Sequence, residues 1–435
     1  MPVVPTRRLA AVAALGALVA LAIPGGGLSW LLVVNGSLLL LVALDAVLAP
    51  RPGDLTVDRD MPPAVTLGQS AEVTWTVRNP RRRPVRVGLA DELAPSLRPT
   101  TRRVVATVAA EGVLTAITDL RPARRGRFAP TAVVVRVDGP LGLAARQRTV
   151  RVPGVLRVLP SFRSKEEAEL RIRRARILEV GLRSVRGRGG GTEFEQLRDY
   201  SVDDEFRHVD WAATARAGRP IVRTYRAERN QTVLALLDAG RTMAGRVDGV
   251  PRVEHAIDAV LMLTALAGGL GDRCGVVAFD REVRAVVPPG TGMRQLGAVT
   301  DALYDLEPVL VESDYAGAFT ETLARFRRRT LLVLLTDLVA PAVEEWLLPA
   351  LPLLNEHLVV VAGVRDPDVA RWSATPVADA PDTFRRAAAL SALEQRRRTV
   401  ARLRGLGATV VDAAPGRLAP ELADAYLRAK ATGRL

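Results

Sequence analysis

Four apolar runs in the second half of the chain restrict its fold more than any other feature: QTVLALLD (231–238), RCGVVAFD (273–280), TLLVLLTD (330–337) and HLVVVAGV (357–364). Each is strand-length and almost continuously apolar, as a strand covered on both faces must be. Between and after them lie helical patterns: VEHAIDAVLMLTALA, MRQLGAVTDALYDL, YAGAFTETLARFRRR and AVEEWLLPALPLL. VRAVV reads as a short edge strand, a long helix spans about Asp382 to Leu406, ATVVDA is a last strand, and APELADAYLRAK closes the chain. The alternation predicts a mostly parallel sheet with helices on both sides, a doubly wound α/β domain over residues 231–435.

The amino terminus has a different texture. After Arg7 and Arg8, Leu9 to Ile23 carries no charge, PGGG follows, and Leu28 to Ala49 contains only Asp45. Two membrane helices joined by a glycine turn, forming a transmembrane helical hairpin over residues 1–50, fit these lengths. Arginines flank the outer ends (Arg7, Arg8, Arg51) and the connecting turn has none, so the positive-inside rule places the rest of the chain in the cytoplasm, beneath the cell inner (plasma) membrane. A secretory signal is the alternative, and the longer second run argues against it. Asp45, near the end of that run, is expected at the membrane interface.

Residues 51–160 alternate β-branched and polar positions between Pro and Gly breaks, as in AEVTWTVRN, VRVGLADEL, RRVVATVAA, TAVVVRVDGP and VLRVLP. This pattern predicts an antiparallel β-sandwich acting as spacer or scaffold. Residues 161–230 follow, with EEAELRIRRARILEVGL as an amphipathic helix and RSVRGRGGG as a loop that lacks a phosphate-loop signature.

The net charge of +14 comes from 61 basic residues, of which only Lys165 and Lys430 are lysines. Scattered arginines do not make the concentrated basic face of a nucleic-acid binder, although they favour an anionic lipid surface. The single cysteine, Cys274, excludes an internal disulfide and reads as a core residue. With three histidines, His208, His255 and His357, no nucleophile and base pair is evident, and no small-molecule substrate is implied.

Ligands of doubly wound sheets collect beyond the carboxyl ends of the strands, where two runs end in Asp238 and Asp337. With hydroxyls such as those of Thr242 and Ser313, these carboxylates could form an oxygen shell for Mg²⁺ or Mn²⁺. Two families share such geometry. The D-x-G-x-T after the first strand is similar to the nucleophile motif of aspartyl phosphatases, but Gly240 replaces the second aspartate and leaves Asp238 without its acid/base. The arrangement also resembles the metal-ion-dependent adhesion site of von Willebrand factor A domains. Asp238 and Asp337 match it, Thr242 stands for the second serine and Ser313 for the threonine, while Gly240 removes one ligand and makes the site degenerate.

The most specific resemblance lies just before the first strand. EFEQLRDY followed by DDEFRHVDWAATAR resembles the signature of the domain-of-unknown-function 58 family, matching at Glu193, Phe194, Leu197, Arg198, Tyr200, Asp203, Asp204, Arg207, Asp210, Trp211, Thr214, Ala215 and Arg216. The resemblance implies a membrane-anchored, von Willebrand-type adaptor, not an enzyme, that works with a MoxR-type AAA+ ATPase in assembly or maturation of other proteins. Within the segment, Arg198, Arg207 and Arg216 are expected to pair with Asp203, Asp204 and Asp210 and fix a structured lead-in to the α/β domain, with Phe194, Tyr200 and Trp211 as anchors. The alternative is a metal-dependent hydrolase that uses these carboxylates or Asp238 and Asp337.

Overall fold

A computed structural model describes residues 2–22, 27–185, 193–201, 204, 206–226 and 231–431. The chain divides into two compact units, Met1–Leu159 and Pro160–Leu435. It is a multidomain protein of mixed α and β structure.

The first unit opens with β1 (Val3–Pro5), α1 (Arg7–Ala22) and α2 (Gly27–Leu48). α2, at 22 residues, is long and apolar enough to cross a membrane. Ten strands follow: β2 (Thr56–Asp60), β3 (Ala64–Thr66), β4 (Ala71–Arg78), β5 (Val85–Asp91), β6 (Arg103–Val108), β7 (Val113–Leu120), β8 (Gly126–Phe128), β9 (Ala132–Asp138), β10 (Ala144–Arg151) and β11 (Leu156–Leu159). They form antiparallel sheets ordered β1-β10-β9-β5-β6 and β2-β4-β7, and a third sheet, β3-β11-β8, whose β3-β11 pair is parallel. Alternate residues of β4 (Val73, Trp75, Val77), β5 (Val87, Leu89) and β9 (Val133, Val135, Val137) meet in one core. The period-two pattern places them on facing sides.

Two polar arrangements in this unit were not foreseen. Arg59 and Asp91 form a buried ion pair at 2.5 Å, and Trp75 Nε1 donates to the other Asp91 oxygen at 2.6 Å. Asp45, expected at a membrane interface, is buried and accepts from the amides of Leu141, Leu143 and Ala144 at 2.7, 2.7 and 2.8 Å. Three N–H donors satisfy a carboxylate at the end of an apolar helix, so Asp45 serves to hold the turn after β9.

The second unit begins with α3 (Lys165–Val185), then β12 (Glu193–Asp199), α4 (Trp211–Ala217) and β13 (Ile221–Arg226). β12 and β13 form an antiparallel pair, so the signature segment opens on a strand and closes on the short helix α4. RSVRGRGGG lies largely outside the described residues. Then come β14 (Thr232–Asp238), α5 (Arg241–Ala244), a small hairpin of β15 (Arg246–Val247) and β16 (Val250–Pro251), α6 (Arg252–Gly269), β17 (Arg273–Phe279), β18 (Val283–Gly290), α7 (Gly292–Leu303), α8 (Tyr315–Arg325) and β19 (Leu331–Leu335). α9 (Ala340–Ala342) and α10 (Leu348–Ala350) follow. β20 (Leu358–Val364), α11 (Pro367–Ala374), α12 (Ala380–Gly405), β21 (Thr409–Ala413) and α13 (Leu418–Ala431) complete it.

The main sheet runs β18-β17-β14-β19-β20-β21, with β18 alone antiparallel. Its strands appear in the chain in the order 3-2-1-4-5-6, so the winding direction reverses between β14 and β19. One face packs residues from α3, α6, α7 and α13, and the other packs residues from α8, the α9–α10 stretch and α12. AVEEWLLPALPLL is not the single helix expected. Pro349 and Pro352 each remove a donor, and a π turn (Val343–Leu347) and a 3₁₀ turn (Leu351–Leu354) carry the chain through. Cys274 is fully buried in the core, and burial pushes its thiol up to about 12.

Candidate functional site

Asp238 ends β14 and Thr336 and Asp337 follow β19, on the two strands that flank the reversal in winding. Asp238 is fully buried, and both its oxygens are saturated by donors. Oδ1 accepts from Ser313 Oγ at 2.5 Å and the Gly240 amide at 2.8 Å, and Oδ2 accepts from Thr336 Oγ1 at 2.6 Å and Tyr315 Oη at 2.9 Å. Burial pushes its carboxyl above the usual carboxylate range, against the pull of those four bonds. Burial and the neighbouring Asp238 charge likewise raise Tyr315, which lies edge-on to Phe279 and Phe319.

The loop geometry follows from two short backbone links. The Arg241 amide donates to Val311 C=O at 2.9 Å and the Val309 amide to Ala239 C=O at 2.9 Å, drawing the segment before α8 over the end of β14. A Cβ added at Gly240 would collide with Ser313 Oγ and come 3.0 Å from Val311 O. Gly240 is therefore no simple loss: Ser313 takes the space, and supplies the hydroxyl, that a side chain there would have provided.

Asp337 sits in different company. It is buried, and Arg252 Nε lies 3.1 Å from Oδ2 as an ion pair without hydrogen-bond geometry. Arg396 Nη1 donates to Oδ1 at 3.0 Å. The same guanidinium grips Asp412 through Nε at 3.1 Å and Nη2 at 2.9 Å. Burial alone would lower the Arg396 pKa, and the Asp412 and Asp337 carboxylates outweigh it and raise it. Thr242, expected beside Asp238, makes no side-chain hydrogen bond to either aspartate among the described residues.

These residues do not fit a divalent ion in this arrangement. Mg²⁺ and Mn²⁺ need oxygen lone pairs converging on one point. Here Asp238 spends its lone pairs on four donors and Asp337 faces two guanidinium groups, and no group of three or more His, Cys, Asp or Glu among the described residues could hold a metal.

The signature segment is built around a helix cap. Asp210 precedes α4 and accepts from the Ala213 amide at 3.0 Å, and Gly218 closes the helix in the left-handed region at φ 65°. Asp210 also accepts from Arg223 Nε at 2.7 Å, and the Ala213 amide and Arg223 hold its carboxyl below the usual range. Arg198 pairs with Asp204, its Nη1 donating at 2.8 Å, as expected. Asp210 was expected to pair with one of Arg198, Arg207 and Arg216, but β13 brings Arg223 to it instead, and Arg216 donates to Ala212 C=O at 3.2 Å. Asp203 and the side chains of Glu193, Phe194 and Arg207 lie outside the described residues. Thr214 Oγ1 accepts from the Ile221 amide at 2.9 Å.

Tyr200 and Trp211, two of the three aromatics expected as anchors, are exposed rather than buried. Phe206 is 69% exposed and Trp211 60%, packed edge to face with centroids 5.4 Å apart. Sequence reasoning passed over Phe206. An isolated aromatic among the charged residues 203–210 was the available signal. Burial holds His255 and His357 low, and His357 Nδ1 accepts from the Thr330 amide at 3.2 Å, a structural role for that side chain.

Residues 196–374 match the model of the family described as protein of unknown function DUF58. Uncharacterized proteins of Mycobacterium tuberculosis and Mycobacterium bovis are 28% identical over 181 residues, 41% of this chain and 56% of theirs. The chain thus spans about half the length of the curated relatives it matches. Among solved structures, the CARDB domain of a Pyrococcus furiosus protein is 15% identical with a TM-score of 0.16, covering 23% of this chain and 87% of that one. A FixG-related protein of Vibrio parahaemolyticus is 10% identical with a TM-score of 0.18, covering 24% and 96%.

Proposed function

We propose that this chain is a membrane-anchored, non-enzymatic adaptor whose α/β unit docks a MoxR-type AAA+ ATPase during assembly or maturation of other proteins. The observation that carries the reading is the exposed Phe206–Trp211 pair within the family-matching region. Exposed aromatics in contact with each other are a costly surface unless a partner covers them, and such residues dominate binding hot spots. The 3-2-1-4-5-6 sheet with one antiparallel edge supports a von Willebrand factor A-like fold, and α1 and α2 with their flanking arginines support a membrane hairpin facing the cytoplasm.

The hydrolase alternative has less behind it. Asp204 and Asp210 are held by Arg198 and Arg223, and Asp238 has no free lone pair for a nucleophilic or metal role. In this reading the Asp238 and Asp337 cluster works without a metal, as a fixed scaffold for the loops at the carboxyl end of the sheet. Co-purification of the full chain with the ATPase, compared with a Phe206→Ala/Trp211→Ala variant, tests the proposal.

A further inference from the structure

We propose that the free edge of β21 receives an extended acidic segment of a partner protein as a seventh strand. β21 is the last strand of the main sheet, and its register with β20 fixes which of its backbone groups are used. The Arg365 amide donates to Ala413 C=O at 2.7 Å, so in a parallel ladder Thr409, Val411 and Ala413 face β20. Val410 and Asp412 therefore turn their N–H and C=O groups outward, and no backbone partner among the described residues takes them. An unpaired edge of this kind is a template for strand addition.

The edge is also a groove. Val410 packs into the core on the α12 face and Val411 into that on the α13 face, so the two helices stand on either side of the open strand. Together they bound a cleft of about 970 Å³. Its charge is one-sided. Each acid in the cleft already has an arginine: Asp412 pairs with Arg396 at 2.9 Å, Asp424 with Arg171 at 3.0 Å and Glu421 with Arg417 at 3.7 Å. Arg365, Arg404 and Arg428 line the cleft, are exposed, and have no carboxylate partner among the described residues.

Arg404 stands on α12 and Arg428 on α13, so alternate side chains of an added strand, which point to opposite faces, would each meet a cation. The same rim repels a second copy of this edge, which favours an acidic partner over self-pairing. The cleft is separate from the Phe206–Trp211 pair, and the inference does not depend on the identity of the ATPase.

The test uses the full chain in detergent micelles and a fluorescein-labelled octapeptide alternating glutamate and valine. Anisotropy should show salt-dependent binding, and exchange of the Val410 and Asp412 amides should slow when the peptide is present. Arg404→Glu/Arg428→Glu should weaken binding at least about tenfold, and a peptide with proline at alternate positions should not bind. Absence of binding would mean that the arginines only guard the edge, and would overturn the proposal. Equal binding of the proline peptide, unchanged affinity of the variant, or full displacement by tripolyphosphate with both amides unprotected would do the same.

Discussion

Arg396 Nη1 lies 3.0 Å from Asp337 Oδ1, where the degenerate adhesion-site reading would place a metal ion. The guanidinium also holds Asp412, so one side chain ties the end of β19 to the edge strand β21. Replacing Arg396 by alanine leaves Asp412 without its partner and Asp337 with Arg252 alone. Removal of one partner from a buried ion pair costs about 3–5 kcal/mol, and the Asp337 side chain is only 1% exposed. Denaturant unfolding of Arg396→Ala should show a loss of about that size, with a smaller loss for Arg396→Lys.

Gly240 and Ser313 compete for one space. Gly240→Ser should destabilise by about 1–3 kcal/mol through overpacking, because its Cβ meets Ser313 Oγ. Gly240→Ser combined with Ser313→Ala should recover part of the loss, as a double-mutant cycle would show. An additive result would mean that the two side chains do not share the site.

Asp210 and Asp238 should leave opposite marks on stability against pH. The folded-state pKa of Asp210 is depressed, so its stabilisation is present above the unfolded value and lost as pH falls through the folded one. That of Asp238 is raised by burial, so its contribution is fully present below the unfolded value and lost as pH rises through the folded one. Thermal unfolding from acid to neutral pH should show Asp210→Asn deviating from the parent increasingly toward neutral pH. The Asp238→Asn deviation should change with pH in the reverse direction.

Metal should make no difference to the folded chain. Titration of Mg²⁺ or Mn²⁺ into the full chain by calorimetry should give no heat that depends on Asp238 or Asp337. Heat abolished by Asp238→Ala and Asp337→Ala would restore the adhesion-site reading.

The strands of the main sheet were legible because a run such as LLVLL, buried on both faces, tolerates nothing polar, and Asp238 and Asp337 stood out by ending such runs. α11 was not, since its eight residues are too few for a period to stand out and none of them is buried, and β12 and β13 were hidden by their many charged residues and by the stretch containing α4 that separates them. The partners of Asp337 and Asp210 could not be read either. Arg252, Arg396 and Arg223 look like any other of the scattered arginines until the strand order brings them to a carboxylate. The partners of Asp45 were out of reach for a related reason: its three amide donors lie about a hundred residues away in sequence.

The central claim is that the exposed aromatic pair docks an ATPase. Both side chains lie on the surface, so Phe206→Ala/Trp211→Ala should leave stability within about 0.5 kcal/mol. The deciding measurement is the affinity of the MoxR-type ATPase for the full chain in nanodiscs, parent against this variant, with ATP turnover followed in parallel. The account predicts binding by the parent, a change in turnover, and a loss of at least about tenfold in the variant. An ATPase that ignores the parent chain, or binds both forms equally, would contradict it.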